Sequence, residues 1–131
     1  MNINNFHPGL IIILLGSLIL VLPEKFQKVI SFLGAAIGIL GCLTLSDSSS
    51  FVYSITPIIK LQMIEVDGLS KMFIIIFAII GVTNAVYSLD IQDKWEKGIS
   101  VIYGGSIISA TLAGDVISLI VFWEVAAFSA A

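Results

Sequence analysis

One carboxylate stands inside an apolar helical stretch in the last third of the chain. Glu124 follows Phe122 and Trp123, and no other charged residue lies between Val116 and Ala131. At about 1.5 Å per residue, Glu124 lies roughly 12 Å past Val116, near the middle of a hydrocarbon core about 30 Å thick. A bare carboxylate costs roughly 3 kcal/mol or more there, so it must be protonated, paired or in contact with water. Glu124 is therefore a candidate proton or ion site; the alternative is a neutral glutamic acid that only hydrogen-bonds a neighbouring helix.

Four further polar residues indicate helix ends or helix contacts. Asp67 and Asp115 each precede an apolar run, where a carboxylate can cap the first helical turn by accepting a hydrogen bond from a backbone N–H. Asn84 lies on a mildly polar face of its helix, where a helix–helix hydrogen bond is favoured over a place in a proton path. Ser109 follows Gly105 by four residues, a spacing that suits a tightly packed helix contact.

The sequence offers little support for an enzyme. His7 is the only histidine and Cys42 the only cysteine, so an intramolecular disulfide and a cysteine-based metal site are both excluded. No nucleophile–base pair, phosphate-binding loop or redox-cofactor motif is present. The chain also has no arginine, and no basic patch suits nucleic acid. We therefore expect no catalytic site, cofactor, metal or nucleic-acid partner, and a structural role for His7 before the first helix.

The composition is typical of an integral membrane protein. Of the 131 residues, 58% are hydrophobic and 11% are charged, whereas a soluble domain has about 25% charged residues. The charged residues form short clusters between apolar runs. We predict an all-α, polytopic integral membrane protein, with residues 1–131 forming a single membrane domain in the lipid bilayer.

Five apolar runs predict about five transmembrane helices, over approximately residues 8–22, 29–45, 69–89, 98–113 and 116–131. The loop over residues 46–68 contains two stretches that are rich in alternating apolar residues, one on each side of Pro57. These stretches predict a β-hairpin outside the membrane over Phe51–Val66, with an amphipathic interfacial segment as the alternative. The segment Asp90–Lys97 is expected to be a charged interfacial loop.

The distribution of lysines predicts an orientation in the membrane. Positively charged residues are enriched in cytoplasmic loops. Lys60 and Lys71 lie on the side of the predicted hairpin. The other four lysines lie in the two short loops of the opposite side: Lys25, Lys28, Lys94 and Lys97. We therefore expect the N-terminus and the hairpin to lie outside.

A series of short motifs resembles a known family of membrane proteins. The motifs are Glu65-Val66-Asp67-Gly68-Leu69-Ser70, then Tyr87-Ser88, then Leu112-Ala113-Gly114-Asp115, which leads to Phe122-Trp123-Glu124. Their order and spacing are similar to those of the antiporter-like subunits of respiratory complex I and of Mrp-type multisubunit cation/proton antiporters. The resemblance is clearest from Glu65 to Ser129, about half of the chain.

The resemblance implies a role for Glu124 and a set of partners. Family members are long polytopic proteins with two inverted five-helix repeats, in which a glutamate of the fifth helix pairs with a lysine of the seventh. Glu124 matches that glutamate, whose role in the family is proton relay. The chain would then be the N-terminal part of a longer antiporter-like fold in the bacterial inner membrane. Other subunits would supply the missing helices and the lysine partner for Glu124.

Two functional expectations follow. The first is a membrane subunit, without a redox centre, of a proton-translocating NADH-quinone oxidoreductase or of an Mrp-type antiporter that exchanges protons for Na⁺. The alternative is a small structural or assembly membrane protein, or a truncated gene product, with no transport activity.

Overall fold

The chain folds into a helical bundle with a small hairpin. The computed structural model describes residues 7–46, 49–54, 56 and 60–131. Over these ranges the elements are α1 (Pro8–Val21), α2 (Glu24–Thr44), β1 (Ser50–Ser54), β2 (Lys60–Glu65), α3 (Gly68–Tyr87), α4 (Lys94–Leu112) and α5 (Val116–Ala130). The two strands form an antiparallel sheet. The helical fold and the hairpin are thus confirmed, while the turn at Pro57 lies outside the described residues.

Two helices begin earlier than the sequence predicts. The second starts at Glu24 instead of residue 29, and the fourth starts at Lys94 instead of residue 98. The predicted loop Asp90–Lys97 is therefore wrong in its second half, which forms the first turn of α4. Hydropathy locates the apolar part of a helix, whereas the helix itself continues into charged residues that favour helical structure. Asp93 ends the loop by capping α4, since its carboxylate accepts a hydrogen bond from the N–H of Trp95.

The closest contact in the bundle is between α1 and α4, which run antiparallel. Gly9 and Gly16 on α1 are seven residues apart, as are Gly98 and Gly105 on α4. Seven residues make about two helical turns, so the two glycines on each helix lie on the same face of that helix. Gly9 faces Gly105 and Gly16 faces Gly98. A Cβ added at Gly105 would lie 2.8 Å from the carbonyl oxygen of Gly9, which shows that the two backbones touch.

The other elements pack around this helix pair. The second helix contacts α1 and α3, while α4 also contacts α3, α5 and strand β2. Apolar side chains from both the bundle and the hairpin form one core: Ile12, Ile19, Ile30, Leu45, Ile64, Val66, Ile74, Val101, Ile108 and Leu112. The hairpin thus covers the end of the bundle where α1 begins and α4 ends.

Two of the helices are suited to crossing a membrane. By length and composition, α2 and α3 are long and apolar enough to do so, whereas α1 and α5 are apolar but shorter. This confirms two candidate spans within the predicted set of five.

The contact between α1 and α4 yields the first testable prediction. We expect Gly105→Ala to destabilise the fold by roughly 1–3 kcal/mol, because the new methyl group would overlap the backbone of α1. The adjacent glycine is a matched control, since a Cβ at Gly104 meets nothing within 4 Å. Thermal unfolding in detergent, followed by circular dichroism, measures both variants. Equal midpoints for Gly104→Ala and Gly105→Ala would contradict the proposed backbone contact.

Candidate functional site

Glu124 lies on the outward side of α5. The side that packs on the bundle carries Ser118 and Phe122, which are both buried. Glu124 is two residues past Phe122, and two residues turn a helix by about 200°, so Glu124 is directed away from the packed side. It is exposed. Its neighbours four residues away on the helix surface are apolar and exposed: Ile120 at 54% and Phe128 at 82%.

The described ranges provide no hydrogen-bonding or ionic partner for the carboxylate of Glu124. Lys97 is buried, with 3% of its surface exposed, but it lies in the first turn of α4. That end of α4 meets α5 near Ser129, because Ser100 and Ser129 line the same surface pocket. Lys97 is therefore at the level of the last turn of α5 and not beside Glu124.

The two residues that were candidates for a polar path or a helix contact both lie at helix contacts. The Nδ2 group of Asn84 on α3 donates a hydrogen bond to Oγ of Ser100 on α4 at 3.0 Å. Ser109 is fully buried on α4, where it packs against Gly9 of α1. The tight contact predicted at Gly105 and Ser109 is thus confirmed. The structure does not bring Asn84 or Ser109 together with Glu124.

Two open grooves run along α3. One, of about 590 Å³, lies between α3, α4 and α5 and is lined by apolar side chains such as Phe73 and Trp123. The other, of about 610 Å³, lies between α3 and α4 and includes Asn84. The grooves share Phe77, Tyr103 and Ile107, and Glu124 lines neither of them. Glu124 therefore faces a surface that is separate from both grooves.

The two predicted helix caps are confirmed. Asp67 precedes α3, and its carboxylate accepts a hydrogen bond from the N–H of Ser70 at 2.7 Å. Asp115 precedes α5, and its carboxylate accepts hydrogen bonds from the N–H of Ser118 at 2.8 Å and from the Ser118 hydroxyl at 2.7 Å. These bonds satisfy N–H groups that the first turn of a helix leaves without a partner.

Asp115 also holds the hairpin, which sequence reasoning missed. Its carboxylate accepts a hydrogen bond from the N–H of Gln62 in β2 at 2.6 Å. The N–H of Gly114 donates to the carbonyl of Gln62 at 2.8 Å. A Cβ at Gly114 would lie 2.7 Å from Cβ of Glu65, so glycine is required for this approach. The contact joins residues 53 positions apart, and no local pattern indicates it.

These hydrogen bonds govern the ionisation of Asp115. Its partial burial by itself would raise the pKa of the carboxyl group. The donors at Ser118 and Gln62 outweigh burial, and the pKa of Asp115 is lower than its ordinary value. Because the folded-state pKa is depressed, these contacts stabilise the fold above the ordinary pKa of aspartate and weaken as pH falls through the folded-state pKa.

His7 joins the start of α1 to α5. Its Nδ1 accepts a hydrogen bond from the N–H of Leu10 at 3.3 Å, and its ring packs on Phe122 with centroids 5.6 Å apart. Burial lowers the pKa of His7 to about 4, and the backbone of Met63 opposes this shift only in part. His7 is therefore a neutral capping residue at pH 7, in agreement with the structural role expected from the sequence.

Among the described residues, no group of three or more histidine, cysteine, aspartate or glutamate side chains could hold a metal ion.

Comparisons with known proteins do not identify a family. A scan against family models, a search of curated proteins and a search of solved structures each returned no match.

The hydrogen bonds of Asp115 yield the second prediction. Asp115→Ala should cost about 1 kcal/mol through the lost helix cap, and it should also release β2 from the bundle. Hydrogen exchange of the Gln62 amide, measured by NMR in detergent, should then become much faster. Asp67→Ala is the matched control, because it removes a cap of the same kind that has no hydrogen bond to β2. Unchanged protection of Gln62 in Asp115→Ala would contradict this assignment.

The pKa of His7 yields the third prediction. Between pH 6.5 and about 4 the unfolded chain binds a proton that the folded chain does not, so stability should fall as pH falls. The loss over this range is about 3 kcal/mol. His7→Asn keeps a side chain that can cap α1 but does not titrate. Denaturant unfolding at several pH values should therefore show a shallower dependence for His7→Asn than for the unchanged protein; parallel curves would contradict the prediction.

Proposed function

We propose that this chain is a membrane subunit of a proton-translocating or cation/proton-exchanging complex, to which it contributes Glu124 as a proton-relay residue. The observation that carries the proposal is the position of Glu124 in the middle of an exposed apolar helix face. A carboxylate in apolar surroundings is costly unless a partner pairs it or it takes up a proton. A group that changes between these two states as a partner cation moves can load and release a proton.

The exposed surface of the helices supports a position in the membrane. Apolar side chains are exposed on every helix, including Leu14 on α1, Leu43 on α2, Ile79 on α3, Tyr103 on α4 and Phe128 on α5. Extended apolar surfaces of this kind are typical of lipid or protein interfaces and are rare in soluble monomers. All five helices are therefore proposed to span the bilayer together.

Partner subunits are required by the proposal. Within the described ranges, the polar contact between Asn84 and Ser100 joins α3 to α4, but no series of polar groups leads from it to Glu124. A partner helix that packs on the outer face of α5 would supply the lysine for Glu124 and the remaining part of the path.

The family and the orientation are part of the same proposal. The motifs that precede Glu124 are similar to those of complex I and Mrp antiporter-like subunits, and we propose membership of that group in the bacterial inner membrane. In this orientation the N-terminus lies outside, and Lys25, Lys28 and Lys94 face the cytoplasm. These three lysines are exposed at the same end of the bundle, where α2 and α4 begin.

The fourth prediction tests the role of Glu124. The change Glu124→Gln is made in the protein's own gene in its natural host cells. Everted membrane vesicles prepared from these cells should then show reduced proton-coupled transport. Glutamine keeps the shape of the side chain but cannot titrate, so the assembled complex should persist. A pH-sensitive dye reports transport, and native electrophoresis of solubilised membranes reports assembly.

The matched control is Glu96→Gln, the same change at an exposed glutamate in the first turn of α4. It should leave transport and assembly unchanged. Transport at the unmodified rate in Glu124→Gln would show that this residue is not a relay. If the unmodified chain migrates without partners in native electrophoresis, this would favour the interpretation that the protein has no part in a transport complex.

A further inference from the structure

A small, partly open cavity lies between α2, α3 and α4, beside the groove between α3 and α4, with which it shares Asn84 and Ser100. Its volume is about 30 Å³. Small residues, including Gly34 and Gly38, form much of its wall, and its polar lining consists of Ser31, Asn84 and Ser100. Ser31 is the eighth residue of α2, so it lies roughly 10 Å along the helix from its start at Glu24. This space is distinct from the outer face of α5 that carries Glu124.

The polar groups at the cavity have unused hydrogen-bonding capacity. The Ser31 hydroxyl donates to the carbonyl of Gln27 at 3.2 Å, which leaves its oxygen lone pairs free to accept. Asn84 donates one of its two amide hydrogens to Ser100, so its second amide hydrogen is available. The Ser100 hydroxyl lies 3.2 Å from Oδ1 of Asn84 and 3.3 Å from the carbonyl of Lys97, and it donates to one of them at a time.

Burial affects Ser31 most, because Asn84 and Ser100 are only half-buried. Ser31 is 2% exposed, and polar groups away from solvent are stabilised only when they are hydrogen-bonded. None of the described hydrogen bonds joins Ser31 to Asn84 or Ser100, so the free acceptor of Ser31 and the second N–H of Asn84 do not satisfy each other. A small molecule that both donates and accepts hydrogen bonds would meet it.

We infer that this cavity is a hydration site, which holds one or two water molecules between Ser31 and the Asn84–Ser100 pair. A single water needs roughly 10–15 Å³ and two or more polar partners, and the cavity offers both. A water can accept from the second N–H of Asn84 and donate to the hydroxyl oxygen of Ser31. A lipid chain is too large for this cavity and would occupy the adjoining groove of about 610 Å³ instead. The inference does not depend on the role of Glu124.

Water-edited solid-state NMR of the full chain in lipid vesicles tests the inference. Magnetisation that starts on water reaches nearby protein carbons first, and glycine Cα signals are well separated from others. Four buried glycines provide a matched comparison. Gly34 and Gly38 line the cavity, whereas Gly16 and Gly105 pack directly on a neighbouring backbone. Transfer should be several-fold faster at Gly34 and Gly38 than at Gly16 and Gly105.

Two variants assign the site to its polar side chains. Asn84→Leu removes the amide, and Ser31→Ala is the milder change should the first variant fail to fold. Each should slow transfer at Gly34 and Gly38 and leave Gly16 unchanged. Equal rates at all four glycines of the unmodified chain would mean that the cavity is dry. Unchanged fast transfer in both variants, or transfer to Gly34 from lipid chains instead of water, would also overturn the inference.

Discussion

The close approach of two backbones, α1 and α4, is the constraint on which the rest of the fold depends. Glycine is needed at the crossing points because a Cβ at Gly16 or Gly105 would lie 2.8 Å from backbone atoms of the other helix. Such proximity maximises dispersion contacts, which are the main source of helix association when the surroundings are as apolar as the helices. The pair then offers two sides for packing. The second and third helices occupy one side, and α5 packs on α4.

The start of α5 is determined by the hairpin. Asp115 accepts hydrogen bonds from both Ser118 and Gln62, so one carboxylate caps the helix and attaches it to β2. His7 adds a contact from α1 through Phe122. With these contacts in place, the packed side of α5 is defined and Glu124 must face outward. The proposed proton site is thus positioned by polar contacts at the helix start, roughly 14 Å from the carboxylate along the helix.

Local features of the sequence determined most of the secondary structure. Long apolar runs indicated helices, because a helix satisfies its backbone hydrogen bonds internally, as a lipid environment would require. Asp67 and Asp115 could be assigned as caps because their partners lie three residues away. The hairpin followed from the alternating residues that precede and follow Pro57 in the sequence. Each of these assignments rests on residues close together in the chain, and the errors at Glu24 and Lys94 arose because charged residues can continue a helix.

Only the tertiary structure decided which helices touch and which faces they use. The spacing of the glycines on α1 and α4 is visible in the sequence, but their pairing is not, since glycine is common in membrane helices. The bonds from Gln62 to Asp115 and from Asn84 to Ser100 likewise depend on chain segments that the fold brings together. The sequence by itself determined that Glu124 lies in an apolar helix. The outward position of Glu124 was decided by packing, because Ser118 and Phe122 occupy the opposite side of α5.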